Sequence, residues 1–198
     1  MMQKDKVLQL MVLFSKKLGG SISDVKMMKL LYFTDRLSLV TTGHPISYDS
    51  YYALNRGPIL SGTKALIDAG SEAGFEVCAD SKWSATFTAP VMGQSPKGFP
   101  LKHFSLIEGV IDSKQTHDAL CEAEIEFAEQ IFADIAELDD DEIVAWSHRK
   151  DVCPEWTWPD GSRKPIQIDS IFRTIGMSEH EIAEQIKEID YHKRLLVD

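Results

Sequence analysis

The side chains that could do chemistry in this chain are its three cysteines, its six histidines and its scattered carboxylates. Cys78, Cys121 and Cys153 are odd in number and widely separated, which argues against a disulfide framework and fits a reducing cytosol. No two histidines lie three to five residues apart, and five of the six are isolated. His148 and Cys153 could share a metal, but a structural zinc wants four ligands, so neither a metal nor a cofactor is expected. A cysteine–histidine nucleophile pair can be imagined, yet spacing brings no particular pair together. Nucleophile-elbow, phosphate-loop and dinucleotide-binding motifs are absent from the sequence. The acidic run Asp139-Asp140-Asp141-Glu142 lacks the glycine and the spaced oxygens of a calcium loop. It reads instead as a helix start, where acids complement the macrodipole. No catalytic residue follows from spacing, and the chain is not expected to be an enzyme.

Two local features rise above this background. Arg56-Gly57-Pro58 marks a strand ending in a turn that leads to a helix. Trp146-Ser147-His148 followed by Cys153-Pro-Glu-Trp156-Thr-Trp158 sets three tryptophans close together, enough to anchor either a core corner or an interface.

The elements that must position these residues follow from periodicity. Val7, Leu10, Met11, Phe14 and Leu18 recur at helical steps, and Gly19-Gly20 ends that helix. Ser21 to Asp24 supplies caps for a second helix, Val25 to Val40, which is apolar nearly all round and so reads as the buried centre. Met28, Tyr32, Asp35 and Leu39 share one stripe of it, which predicts a buried Asp35 with a cationic partner or backbone donors. Strands are expected over Tyr48–Leu54, Phe75–Cys78 and Trp83–Thr88, a short helix over Ser61–Ala69 closed by Gly70, and a loop from Pro90 to Pro100. Helices follow around Leu120–Ile135, Asp139–His148 and after the capping box Ser178–Glu181. The expected fold is an α-rich α+β domain, 1–198, with about six helices around the central one and a small antiparallel sheet.

The net charge is −10. Such a chain does not release counterions from nucleic-acid phosphates, and its basic clusters are short, so direct nucleic-acid binding is disfavoured. A basic protein partner suits it better. No apolar stretch is long enough to span a membrane, and the N-terminus reads as a folded helix without a signal-peptide cleavage site, which together predict a cytoplasmic protein.

These residues also carry a resemblance. Lys29-Leu-Leu-Tyr32-Phe-Thr-Asp35-Arg36 resembles the central helix of the Panacea domain of SocA-like antitoxins and phage-associated proteins. Gly43-His-Pro45-Ile46 resembles the turn after that helix, Tyr51-Tyr52-Ala53 through Arg56-Gly57-Pro58 its strand and Gly-Pro turn, and Ser61 to Leu66 the next helix. Ala145-Trp-Ser147-His148 and Trp156 are similar to the family's C-terminal signature, although Cys153-Pro-Glu lengthens the approach to the tryptophan. The likeness is strongest over 7–70 and 140–158, with 80–105 a variable insertion. The resemblance implies neutralisation of a toxin by direct binding, in some relatives by handing the toxin to an ATP-dependent protease. The candidate partner-binding or polar-network residues are Tyr32, Asp35, Arg36, Arg56, Gly57, Pro58, Ser147, His148 and Trp156. The alternatives are a phage-encoded regulator binding host proteins and a hydrolase using His148.

Overall fold

The computed structural model describes residues 2–72, 81–110 and 118–196. It is an α-rich α+β fold in which one helix forms the spine. The first helix, α1 (Lys4–Lys17), ends where Gly19 and Gly20 take left-handed φ values and the Gly20 amide reaches back to the Ser15 carbonyl at 2.7 Å. A short strand, β1 (Ser21–Ser23), leads into α2 (Asp24–Thr42). Ser23 is the N-cap of α2, its Oγ accepting from the Lys26 amide at 3.0 Å, and Gly43 closes it in the left-handed conformation. The helix that sequence marks as central is buried from Met27 to Asp35 without interruption.

Around α2 lie the hairpin β2 (Tyr51–Leu54) and β3 (Gly57–Leu60), then α3 (Ser61–Glu72) and the single turn α4 (Ser81–Ser84). After these come β4 (Val91–Gln94), β5 (Pro100–Ser105), α5 (Glu122–Ile135) and α6 (Asp140–Ser147). A two-residue strand β6 (Lys164–Pro165), α7 (Ile168–Thr174) and α8 (Glu179–Leu195) complete the chain. The antiparallel pairing falls into two three-stranded sheets, ordered β1-β5-β4 and β3-β2-β6. Helices α1, α5, α6 and α7 and strands β3 and β5 all contact α2. The capping box expected at Ser178–Glu181 is formed, Ser178 Oγ accepting from the Glu181 amide, and Asp139 caps α6 in the same way.

Four expectations need correcting. Trp83–Thr88 is not a strand: Trp83 and Phe87 are four residues apart, a helical step, and both are buried beside one another with only an isolated bridge from Phe87 to Leu106. Pro90–Pro100 is not a plain loop, since its prolines flank a strand; β4 pairs with β5 from Val91↔His103 to Gln94↔Pro100. The helix opened by Ser61 runs through Gly70 to Glu72, the cost of a helical glycine being only about 1 kcal/mol. The strand expected from Tyr48 starts at Tyr51, because Tyr48 itself takes φ 51°. The strand expected at Phe75–Cys78 lies outside the described residues. Among the described residues, no helix is long and apolar enough to cross a membrane.

Candidate functional site

Three polar clusters hang on α2, and between them they hold most of the residues singled out in sequence. The first surrounds Lys29, which is 1% exposed on the side of α2 facing the β2–β3 turn. Its Nζ donates to the Pro58 carbonyl at 2.9 Å. Burial drags the Lys29 ammonium down to a pKa of about 7, with Arg56 pushing the same way and Cys153 and Asp24 opposing. Asn55 and Arg56 make the hairpin turn, and Gly57 follows at φ 98°. A Cβ on Gly57 would lie 2.5 Å from Ser147 Oγ and 2.9 Å from Lys29 Nζ, so the turn is pressed against both α2 and the end of α6. Pro58 is tolerated because β3 is an edge strand of its sheet.

Ser147 is fully buried and donates to the Val144 carbonyl at 2.9 Å. His148 caps α6 and lies flat on Trp156, ring centroids 3.9 Å apart and 9° from parallel. The Trp156 indole N–H donates to the Leu54 carbonyl at 3.2 Å, which ties the C-terminal signature to the hairpin turn. Burial, then the nearby Lys29, lowers the His148 pKa. His148 Nε2 and Arg56 Nη2 are buried atoms without a hydrogen-bond partner among the described residues. The Arg56 Nη1 donates to the Pro100 carbonyl at 3.0 Å, and its guanidinium lies 5.8 Å from the Phe99 ring. A cavity of about 350 Å³ opens beside this turn, with Lys29, Arg56, Gly57, Met28 and Ile67 among its walls and Pro100 and Ser162 at its sides.

The second cluster is centred on Glu155, whose side chain is fully buried. Its Oε1 accepts from Tyr32 OH at 2.8 Å and from Arg36 Nε at 2.6 Å, and its Oε2 from Arg36 Nη2 at 3.1 Å. Desolvation works to raise the Glu155 carboxyl, but the Arg36 hydrogen bonds and charge outweigh it and hold the group below its ordinary value. The Cys153 thiol also donates to Glu155, at 3.2 Å, and burial with that carboxylate pushes its pKa up to about 12. A thiol so protonated and so buried is no nucleophile.

The third cluster holds Asp35, 1% exposed as its stripe predicts. Its partners are the Ser47 amide at 2.7 Å, Ser47 Oγ at 2.6 Å and Tyr51 OH at 2.7 Å. None of these is a cation; of the two arrangements expected, backbone donation is the one found, from the Ser47 amide, with two hydroxyls beside it. Desolvation raises the Asp35 pKa against the pull of those bonds. Asp35, Arg56 and His148 therefore do not form one network: Asp35 fastens α2 to the Ile46–Tyr51 segment, while the other two lie at the Lys29 end.

The spine, the Gly-Pro turn and the Ser-His…Trp corner thus lock together as one unit, in the order the sequence carries them. The protein-family model described as antitoxin SocA-like, Panacea domain, matches residues 27–157. The chain belongs to this family. The hydrogen-bonded residues of all three clusters lie within this match, apart from Thr174, which accepts from Arg36 Nη2 at 3.3 Å. Comparison with curated proteins and with solved structures finds no match. Sequence reading missed Lys29 and Glu155 as site residues. A lysine inside the uniformly apolar Met27–Phe33 run was the available signal for the first.

Proposed function

We propose that this Panacea-domain protein neutralises a partner toxin by binding it directly, without catalysing a reaction. The observation that carries this reading is the antitoxin family match over residues 27–157. The docking centre we assign is the surface around the Arg56–Pro58 turn. Exposed Phe99 stands against Arg56 on one side of it, and exposed Trp158 stands against Trp156 and His148 on the other. Large aromatics and an arginine at a turn make the kind of centre that dominates binding energy in interfaces. The −10 net charge favours a toxin with a basic surface. Delivery of the captured toxin to an ATP-dependent protease is the finer form of the proposal.

The geometry does not favour the hydrolase alternative, since His148 Nε2 makes no hydrogen bond among the described residues and the Cys153 thiol donates to Glu155. The experiment is co-expression with the product of each gene adjacent to the one that encodes this chain, since an antitoxin's target is expected to be encoded next to it. Growth should be restored by the wild type and lost with Phe99→Ala combined with Trp158→Ala, both proteins remaining folded by circular dichroism. Toxin that persists at full level in a protease-deficient host, with growth still restored, would favour binding alone over delivery. Failure of the wild type to bind or to rescue would overturn the reading.

A further inference from the structure

The last helix, α8, lies outside the matched Panacea residues and meets the spine at one polar point. Gln185, Glu188 and His192 share a face of α8, at steps of three and four residues, and face the turn that follows α2. The Gln185 amide donates to the Gly43 carbonyl at 3.2 Å. Next to Gly43, His44 brings its Nδ1 to 3.4 Å from His192 Nδ1 and equally to 3.4 Å from the Tyr48 hydroxyl, which a metal on that nitrogen would displace, and its Nε2 to 3.5 Å from a Glu188 carboxylate oxygen. One ligand atom from each of the three residues can be chosen so that all lie within 4.8 Å of one another.

We propose that His44, Glu188 and His192 bind a divalent transition metal, zinc in the first instance, and that this metal clamps α8 to the end of α2. Two imidazoles presenting the same nitrogen to each other make a poor hydrogen bond at 3.4 Å, beyond the usual 2.7–3.2 Å or so, and require one ring to carry the proton while the other does not. Zinc–nitrogen bonds of about 2.0–2.1 Å in a tetrahedron place neighbouring ligand atoms about 3.4 Å apart, which is the separation found here. Both nitrogens then bind in their neutral form. Glu188 rests against the other edge of the His44 ring, at Nε2, and completes the set by swinging its exposed carboxylate, already within 4.8 Å, round to the Nδ1 side. A water fills the fourth position, the arrangement of three protein ligands that zinc accepts. The set is the nitrogen–carboxylate type that selects zinc and its neighbours over magnesium or calcium. Spacing along the sequence hides it, because His44 and His192 are 148 residues apart.

The test uses the full-length protein stripped with a chelator and titrated with zinc chloride by calorimetry, followed by elemental analysis after desalting. One zinc per chain and a raised melting temperature are expected for the wild type. His44→Ala and His192→Ala should each lose the zinc and the thermal shift, whereas His180→Ala, at an exposed position of the same helix, should keep both. Cobalt substitution should give the visible absorption of a tetrahedral site in the wild type, absent in His192→Ala. Zinc bound equally by wild type and both histidine variants, or no stoichiometric zinc in any of them, would overturn the proposal. Far-ultraviolet circular dichroism of each variant checks that loss of metal is not loss of fold. Should a histidine variant unfold, Glu188→Gln, which leaves the helix sequence nearly unchanged, must bind zinc at least about ten-fold more weakly for the proposal to stand.

Discussion

The Lys29 ammonium sits 2.9 Å from the Pro58 carbonyl, and a Cβ on Gly57 would lie as close to it. A lysine almost completely removed from water is held by one carbonyl on a turn that only glycine can complete at that distance. The consequences of this contact and of its neighbours can be measured in solution.

Burial lowers the Lys29 pKa from 10.5 to about 7 in the folded protein. Between those two values the unfolded chain binds more protons than the native one, so Lys29 makes stability rise with pH across that window. Below about pH 7 its full penalty applies. Lys29→Met keeps the volume and removes the charge, at the cost of leaving the Pro58 carbonyl unpaired by about 1 kcal/mol. Urea unfolding at pH 6, 8 and 9.5 should show a gain with pH in the wild type that the variant lacks, at up to about 1.4 kcal/mol per pH unit. Identical slopes would mean that Lys29 is solvated. Gly57→Ala, at the same contact, should cost about 2–5 kcal/mol from left-handed backbone strain plus overpacking.

Asp35 separates charge from shape. Asp35→Ala strands the Ser47 amide, the Ser47 hydroxyl and the Tyr51 hydroxyl together, and should cost about 3–5 kcal/mol. Asp35→Asn keeps an acceptor for the amide and lets the two hydroxyls turn to accept, so it should cost no more than about 2 kcal/mol. A cationic partner would make Asn nearly as damaging as Ala, which is the outcome that distinguishes the two arrangements in a chemical-denaturation series.

The burial of Asp35 was legible because Met28, Tyr32 and Leu39 share its helical stripe, but its partners were not. Ser47 reaches it only after the chain leaves the helix at Gly43, and Tyr51 only after the further left-handed turn at Tyr48, a path that no periodicity encodes. Arg36 stood out in the sequence, yet its ionic partner Glu155 was hidden in the segment that departs from the family pattern. Strand β5 was lost for a different reason: its two buried residues, Leu101 and Phe104, are three apart and so lie on opposite faces, with Lys102 and His103 between them, and no period-two alternation shows. The helices were the easiest to place, since α2, α6 and α8 carry N-caps that sequence shows directly and α1 runs into its Gly19-Gly20 stop.

Arg36 and Glu155 make acid stability specific. Because Glu155 is held below its ordinary pKa by Arg36, its contribution is present above about pH 4.5 and is lost as pH falls through the depressed native value. Arg36→Ala leaves a buried carboxylate without its cation and should cost about 3–5 kcal/mol at pH 7. The carboxyl then protonates at higher pH, so the variant's deficit should shrink as the solution is acidified. A deficit that stayed constant from pH 7 to pH 4 would show that Glu155 draws little from Arg36.

Cysteine reactivity should divide by position. Cys121 is exposed, whereas Cys153 is buried with its pKa pushed up to about 12. Iodoacetamide at pH 8 followed by peptide mapping should modify Cys121 within minutes and Cys153 only in denaturant. Rapid labelling of native Cys153 would place its loop in solvent and detach Glu155 from α2.

On the proposed function, charge should appear in the rate at which the partner is captured. The chain carries −10, and a partner with a basic surface would be steered by that field before any contact forms. The Debye length shortens from about 30 Å at 0.01 M salt to about 10 Å at 0.1 M, so the association rate should fall clearly over that range. Dissociation should change much less, because short-range packing of groups such as Phe99 and Trp158 against the partner is not screened. Phe99→Ala should do the reverse, speeding dissociation while leaving the salt dependence of association intact. Surface-based kinetics against the co-encoded protein at several salt concentrations measures both. A flat association rate would assign the net charge to solubility alone, and an acidic partner would remove the electrostatic part of the proposed recognition.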